Sequence, residues 1–445
     1  MFDASTAIAL IVSLLILVAL GVHIAIALGM TSALGIYIVT GDLRVVANML
    51  GSTAYESLRD YVFAVIPLFM LMGEFIGRSG AVTDVYRGIN RGLKRLPGRL
   101  GIATVLGNAL FSFVTGVSIA SAAAFSRIAY PEMSRFGYHK GFALGTVAGS
   151  SCLGMLIPPS VLMIVWGILT EKSIGQIFLA GVLPGLLLTV LFVAYIYFTA
   201  LLRPAMVGRG VKTEATQEVT GEDVTLAAFL TSIGGILAVI FAVLGGIWFG
   251  VFTPTEGAGA GAFIGLVLAI VKGMRYRGII DSILSVGRTS APILLLLVAA
   301  SLYSRTLAMT GMANAIQNLF LDTGLTPFLI IVVMVVVWFL LGMVIDSISI
   351  MLLTVPIFAP IAEQLGYNPI AFAIVGILAI EAGLLTPPFG LLVYTVKAAV
   401  QDEDGSVSIV DIFKSSMPYW VIILVAMTFI IEFPKIATFL PDLLF

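Results

Sequence analysis

Four stretches of this chain run for a bilayer thickness or more without a charged side chain: Gly141 to Thr170, Ser173 to Leu202, Val224 to Thr255 and Thr323 to Ile345. A lipid-spanning helix needs about 20 apolar residues, and backbone amides facing hydrocarbon must be paired within the segment, so each stretch must be helical wherever lipid touches it. Further apolar windows lie at Ala4 to Leu20, Val22 to Val39, Tyr61 to Ile76, Gly257 to Val271, Thr289 to Ser304, Gly366 to Val396 and Ser415 to Ile431. The 445 residues are 60% hydrophobic and 11% charged, against roughly 25% charged in a soluble protein. The reading is an all-α polytopic membrane protein with about ten to twelve crossings.

The polar punctuation sets orientation. Arg78, Arg87, Arg91, Lys94, Arg95 and Arg99 crowd one loop, Arg203, Arg209 and Lys212 a second, and Lys272, Arg275, Arg277 and Arg288 a third. Basic loops stay cytoplasmic, which sends the N-terminus and the segment Asp42 to Asp60 outward. The first apolar stretch follows Asp3 with no basic n-region and no small-residue cleavage site, and reads as a mature helix. A net charge of −1 leaves no basic face for nucleic acid. Cys152, His23 and His139 are too few for a disulfide framework or a Cys/His metal centre, and His23 and Cys152 read as packing residues. No Walker A sequence occurs, so the energy for any transport must come from an ion gradient.

The chain repeats itself. An offset of 229 residues lays Ser118 on Ser347, Pro131 on Pro360, Gly137-Tyr138 on Gly366-Tyr367, Gly154 on Gly383 and Pro158-Pro159 on Pro387-Pro388. Two halves follow, 1–202 and 224–445, joined by the hydrophilic segment 203–223, expected as a cytoplasmic linker. An odd number of crossings per half makes the repeat inverted, the architecture from which many secondary transporters obtain two access states.

Within an apolar window a Pro-Pro pair removes two backbone donors and bars helical geometry from the residue before it. Ile157-Pro158-Pro159-Ser160 and Thr386-Pro387-Pro388-Phe389 therefore predict two broken helices whose freed carbonyls suit Na⁺ and whose half-helix N-termini suit a carboxylate. Ahead of each break lies a segment too polar at its centre for a lipid-facing span, with Thr115-Gly116-Val117-Ser118 in one half and Asp346-Ser347-Ile348-Ser349 in the other. These read as the tips of two re-entrant hairpins, since irregular backbone at that depth must face a cavity. Among ionisable residues in apolar windows, Asp346 and Glu381 have the best claim to an ion or substrate, and Arg127 is the candidate cation for an anionic solute. Glu74 and Arg305 read equally as helix-end residues, Glu256 as a helix cap. Gly257, Gly259, Gly261 and Gly265 permit a close helix contact, within a dimer or between the halves.

The runs GTVAGSSCLGMLIPPSVLMIVWGILTEKSIGQIFLAGVLPG (Gly145 to Gly185), GIWFGVFTPTEGAGAGAF (Gly246 to Phe263) and LLTPPFGLLVY (Leu384 to Tyr394) resemble the TRAP transporter large membrane subunit, the DctM or SiaM type, over nearly the whole chain. The resemblance implies an elevator-type transporter of the bacterial inner membrane that imports a carboxylate-bearing organic anion with Na⁺. It also implies two partners, a small four-helix membrane subunit and a periplasmic substrate-binding protein; this chain lacks the extra helices of fused versions, so the small subunit is expected to be separate. Carried onto this sequence, the first Na⁺ region is Thr115, Gly116 and Ser118 with Ser150, Ser151, Gly154 and Pro158. The second is Asp346, Ser347 and Ser349 with Gly383, Thr386 and Pro387. Substrate is expected near Ser121, Ser160, Arg127 and Glu381. Two alternatives stay open: a self-sufficient dicarboxylate symporter of the same architecture, and an intramembrane enzyme using Asp346 and Glu381 as an acid/base pair.

Overall fold

The computed structural model describes residues 4–208, 225–310, 324–401 and 407–445. The described residues are built from helices, with one isolated bridge between Tyr138 and Val207. Of the expected linker 203–223, residues 209–223 lie outside the described residues. Eight helices among the described residues are long and apolar enough to cross a bilayer, among them Ile174–Leu202, Pro254–Val271, Ser347–Gln364 and Ile409–Glu432. Glycine, proline and capping residues cut the other apolar windows into shorter helices: Ile24–Thr40, Arg99–Thr115, Pro327–Gly342, Pro369–Gly383 and Leu391–Val400.

The helices are numbered here along the chain, omitting single turns. The first half holds α1 (Ala4–Ala19), α2 (Ile24–Thr40), α3 (Leu43–Arg59), α4 (Val65–Arg78), α5 (Ala81–Gly92), α6 (Arg99–Thr115), α7 (Ser118–Ile128), α8 (Lys140–Ser151), α9 (Val161–Thr170) and α10 (Ile174–Leu202). The second holds α11 (Leu226–Ile240), α12 (Pro254–Val271), α13 (Tyr276–Thr310), α14 (Pro327–Gly342), α15 (Ser347–Gln364), α16 (Pro369–Gly383), α17 (Leu391–Val400), α18 (Ile409–Glu432) and α19 (Lys435–Leu444). The offset found in the sequence recurs in these boundaries: α7 and α15 begin at Ser118 and Ser347, α8 and α16 at Lys140 and Pro369.

Local chemistry explains most starts. Asp42 accepts from Arg44 N at 2.8 Å to open α3, and Asn368 accepts from Ile370 N and Ala371 N to open α16. Thr253 and Glu256 form a reciprocal capping box at α12, the capping role anticipated for Glu256. His23, read as packing, is instead an exposed cap whose Nδ1 accepts from Ala25 N. Two segments taken as loops contain helices: α3 inside Asp42 to Asp60, and α5 between the basic residues of the first loop.

The halves interlock. Helix α12 of the second half lies along α4 of the first, and α2 of the first lies along α13 of the second. Glycine permits the first contact, because a Cβ on Gly261 would meet Met72 Sδ at 2.5 Å and one on Gly265 the Met72 carbonyl at 3.2 Å. Gly261 and Gly265 of the glycine stripe thus make a contact between the halves. Deeper in, Trp166 meets Phe372 edge to face and Trp338 lies tilted against both, with Gly376 pressed against both indoles. Trp338 Nε1 donates to Thr354 Oγ1 at 2.7 Å, which satisfies the polar atom buried there.

Candidate functional site

Both Pro-Pro pairs interrupt helices. After α8 the chain makes a single turn, Leu153–Leu156, becomes extended at Ile157 and restarts as α9 after Ser160. After α16 it leaves helical geometry at Leu384 to Phe389 and restarts at Leu391 behind Gly390, whose φ is +48°. The bonds Pro158-Pro159 and Pro387-Pro388 are cis.

Each break meets a turn in the segment ahead of it. Helix α6 ends at Gly116, with φ +59°, and α7 begins two residues later. The Gly116 carbonyl accepts from Val161 N at 3.1 Å, and a Cβ at this position would run into the Pro159 carbonyl. In the second half α14 ends at Gly342 and α15 begins at Ser347, while Phe389 N donates to the Met343 carbonyl at 3.2 Å. Gly342 and Gly383 touch so closely that a Cβ on Gly342 would lie 2.8 Å from the Gly383 Cα. Thus each tip is hydrogen-bonded to the backbone just beyond its own Pro-Pro pair.

The residues expected in the first ion region gather here. Thr115, Ser118, Ser121, Ser150, Ser151, Gly154, Pro158 and Ser160 are all buried. Thr115 Oγ1 lies 3.4 Å from Ser121 Oγ, and a Cβ on Gly154 would meet Ser118 N at 3.0 Å. Ser160 Oγ donates to the Met155 carbonyl at 2.6 Å, holding the break closed on itself. Ser150 accepts from Asn108 Nδ2 at 2.7 Å, a buried partner that sequence reasoning missed because a lone Asn in an apolar helix carries no motif. Ser118 Oγ and Asn108 Oδ1 are buried without a protein partner.

The second region is more exposed. Asp346 caps α15, accepting from Ser349 N at 3.0 Å and from the Ser349 hydroxyl. Thr386 Oγ1 donates to the Gly383 carbonyl at 2.7 Å. Pro387 is open, as are Val344 and Phe389, at 59% and 57%. Helix α7 packs along α17, and Ile119, Leu391 and Tyr394 continue the open surface.

Two expected substrate residues are placed differently. Glu381 is 1% exposed, behind the tips, where Oε1 accepts from Ser347 Oγ at 3.1 Å and Oε2 has no partner. Arg127 is exposed on α7, nine residues and so about 13 Å of helix beyond Ser118. The remaining intramembrane charges are paired: Glu74 with Arg78 one turn on, and Arg305 with Glu56 of α3. Among the described residues no three His, Cys, Asp or Glu side chains are grouped to hold a metal. Oxygen donors here come from the backbone and hydroxyl groups, the set that hard monovalent cations accept.

Comparison with known proteins agrees on one kind of molecule. Residues 11–436 match the family described as tripartite ATP-independent periplasmic transporter, DctM component. The chain is 31% identical over 416 residues to the C4-dicarboxylate TRAP transporter large permease protein DctM of Pseudomonas aeruginosa, covering 93% of each chain. It is 26% identical to the sialic acid TRAP transporter large permease protein SiaM of Vibrio cholerae, over 92% of this chain and 93% of that one. With the ectoine TRAP transporter large permease protein TeaC of Halomonas elongata it shares 27% identity over 96% and 97%. In fold it is similar to the YdaH transporter of Alcanivorax borkumensis, at a TM-score of 0.64 and 14% identity over 91% of this chain and 90% of that one.

Proposed function

The chain belongs to the DctM component family of tripartite ATP-independent periplasmic transporters, and on that premise we propose that it imports a carboxylate-bearing organic solute coupled to Na⁺. It is a multi-pass membrane permease subunit, and its family consists of transporter components, so the acid/base enzyme reading of Asp346 with Glu381 falls away.

The observation that carries the coupling is the paired break. Two helices open within apolar windows, and each opening is hydrogen-bonded to a turn rich in hydroxyl and backbone groups. Here the Met155 and Gly383 carbonyls accept from the Ser160 and Thr386 hydroxyls, and rotation of those hydroxyls offers oxygen ligands to Na⁺, which the gradient supplies. The start of α7 at Ser118 has no side-chain cap, and its free amides favour a solute carboxylate there. The open surface of Val344, Phe389, Leu391, Tyr394 and Ile119 is the approach for that solute.

Alternating access follows from the two halves. The recurrence of helix starts at one offset and the exchange of α12 onto α4 and α2 onto α13 support an inverted repeat. In this reading α6–α9 and α14–α17 move as one body against a frame that includes α2, α4, α12 and α13, in the manner of an elevator. The names of the relatives imply a small permease partner and a periplasmic binding protein, and in our reading the assembly sits in the bacterial inner membrane.

The test is uptake in proteoliposomes carrying this chain, its small subunit and its binding protein. Labelled succinate, sialic acid and ectoine are offered under an inward Na⁺ gradient, a K⁺ gradient and internal or external ATP. Accumulation of one solute only under the Na⁺ gradient is expected. Accumulation independent of Na⁺ refutes the coupling, and equal uptake with the binding protein omitted favours the self-sufficient symporter.

A further inference from the structure

Glu381 is a carboxylate with no cation to balance it. None of the ion pairs among the described residues includes it, and it is 1% exposed. A buried carboxylate without compensation is among the most expensive groups a membrane interior can hold. What surrounds it is polar in one direction only. Ser347 Oγ donates to Oε1 at 3.1 Å, while Oε2 and the Ser118 hydroxyl are both buried without a partner, and Ser118 packs on Gly154, two residues from the Cys152 that touches the Glu381 carbonyl.

Those two serines are equivalents in the two halves. Each is the first residue of the helix that leads away from a hairpin tip; the start of α7 has no side-chain cap, whereas Asp346 caps α15. The residue that occupies the place of Glu381 in the first half is Cys152, and its Sγ lies 3.8 Å from the Glu381 carbonyl oxygen. The two positions therefore meet where the halves face each other, and only one of them carries an acid. A single carboxylate serves both tips.

We infer that Glu381 is a positioning residue that links the two hairpin tips through hydrogen bonds from Ser347 and Ser118, with the Ser347 arm made and the Ser118 arm open here. Closing the second arm draws the start of α7 toward the start of α15. Occupancy at one tip then favours occupancy at the other, because both bias the same link. This rests on the Na⁺-coupled reading above.

The test is a Na⁺ titration of the full chain purified with its small subunit, read by tryptophan fluorescence and by the unfolding midpoint. Trp166 and Trp338 lie in the same buried body and supply the fluorescence signal. The unaltered protein is expected to respond steeply, with a Hill coefficient above 1. Glu381→Ala should bring the coefficient to about 1 and weaken half-saturation roughly tenfold, the size of an ordinary coupling between sites. Glu381→Gln keeps an acceptor for Ser347 and offers a donor to Ser118, so it should preserve steepness while removing the charge.

Ser118→Ala and Ser347→Ala should combine non-additively with Glu381 present, by about threefold or more, and additively in the Glu381→Ala background. A structural defect alone would lower the midpoint of every variant and leave steepness unchanged. If Gln behaves as Ala does, or if Ala leaves the Hill coefficient unaltered while the unmodified protein responds to Na⁺, the link is refuted and the coupled reading stands. No response of the unmodified protein to Na⁺ withdraws both.

Discussion

Gly116 shows how one residue can be required twice. Its φ of +59° lies where a side chain costs about 1–2 kcal/mol, and a Cβ would strike the Pro159 carbonyl. Gly116→Ala is therefore expected to push the first tip away from its break, lowering the unfolding midpoint and weakening Na⁺ half-saturation together. An unchanged midpoint in a thermal scan would show that the tip is not wedged against Pro159. Arg127 was legible as an intramembrane cation but not as remote from the tip, because only an unbroken helix from Ser118 to Ile128 turns nine residues of sequence into distance. With about 13 Å of helix between it and Ser118, Arg127→Ala should change the half-saturation for solute by less than about twofold. A larger loss, measured as uptake against solute concentration, would bring Arg127 back to the site. Glu381 was likewise visible as a charge in an apolar window. That it stands behind the tips, bonded to Ser347, depends on how α16 packs, which no local pattern encodes.

At the scale of elements, proline alone does not break these helices. Pro184, Pro292 and Pro418 sit inside the continuous helices α10, α13 and α18, and α15 carries both Pro356 and Pro360. A neighbouring helix or a local adjustment can satisfy one freed carbonyl, but consecutive prolines remove two successive donors and constrain the residue before each. Replacing Pro387-Pro388 with Ala-Ala restores both donors and allows α16 to run on. Na⁺ half-saturation is expected to weaken roughly tenfold, about 1.4 kcal/mol. Pro418→Ala, by contrast, should leave it unchanged within about twofold. Both are read from Na⁺-dependent uptake, and equal effects of the two variants would count against the breaks as the ion-binding element.

The doubled prolines and hydroxyl-rich turns made both broken helices and both tips readable in advance. Helices α3 and α5 were not, because their polar content resembles a loop until the amphipathic period is weighed.

For the whole molecule the decisive question is whether equivalent positions face opposite sides. The offset of 229 residues places Arg135 on Gln364, each in the last turn of the helical segment that leads out of a hairpin and each exposed. In a parallel repeat they would share a side of the membrane. In an inverted one they are divided by it, and the basic residues Arg78 to Arg99 assign Arg135 to the cytoplasm. The only native thiol, Cys152, is 3% exposed and so silent to a bulky reagent. Arg135→Cys and Gln364→Cys can therefore be made singly without altering the background. In intact cells a membrane-impermeant maleimide is expected to label Gln364→Cys and to spare Arg135→Cys, and opening the inner face by lysis should expose the second. Labelling of both from the same side would exclude inverted halves, and with them the elevator motion that two mirror-related states of similar energy make possible.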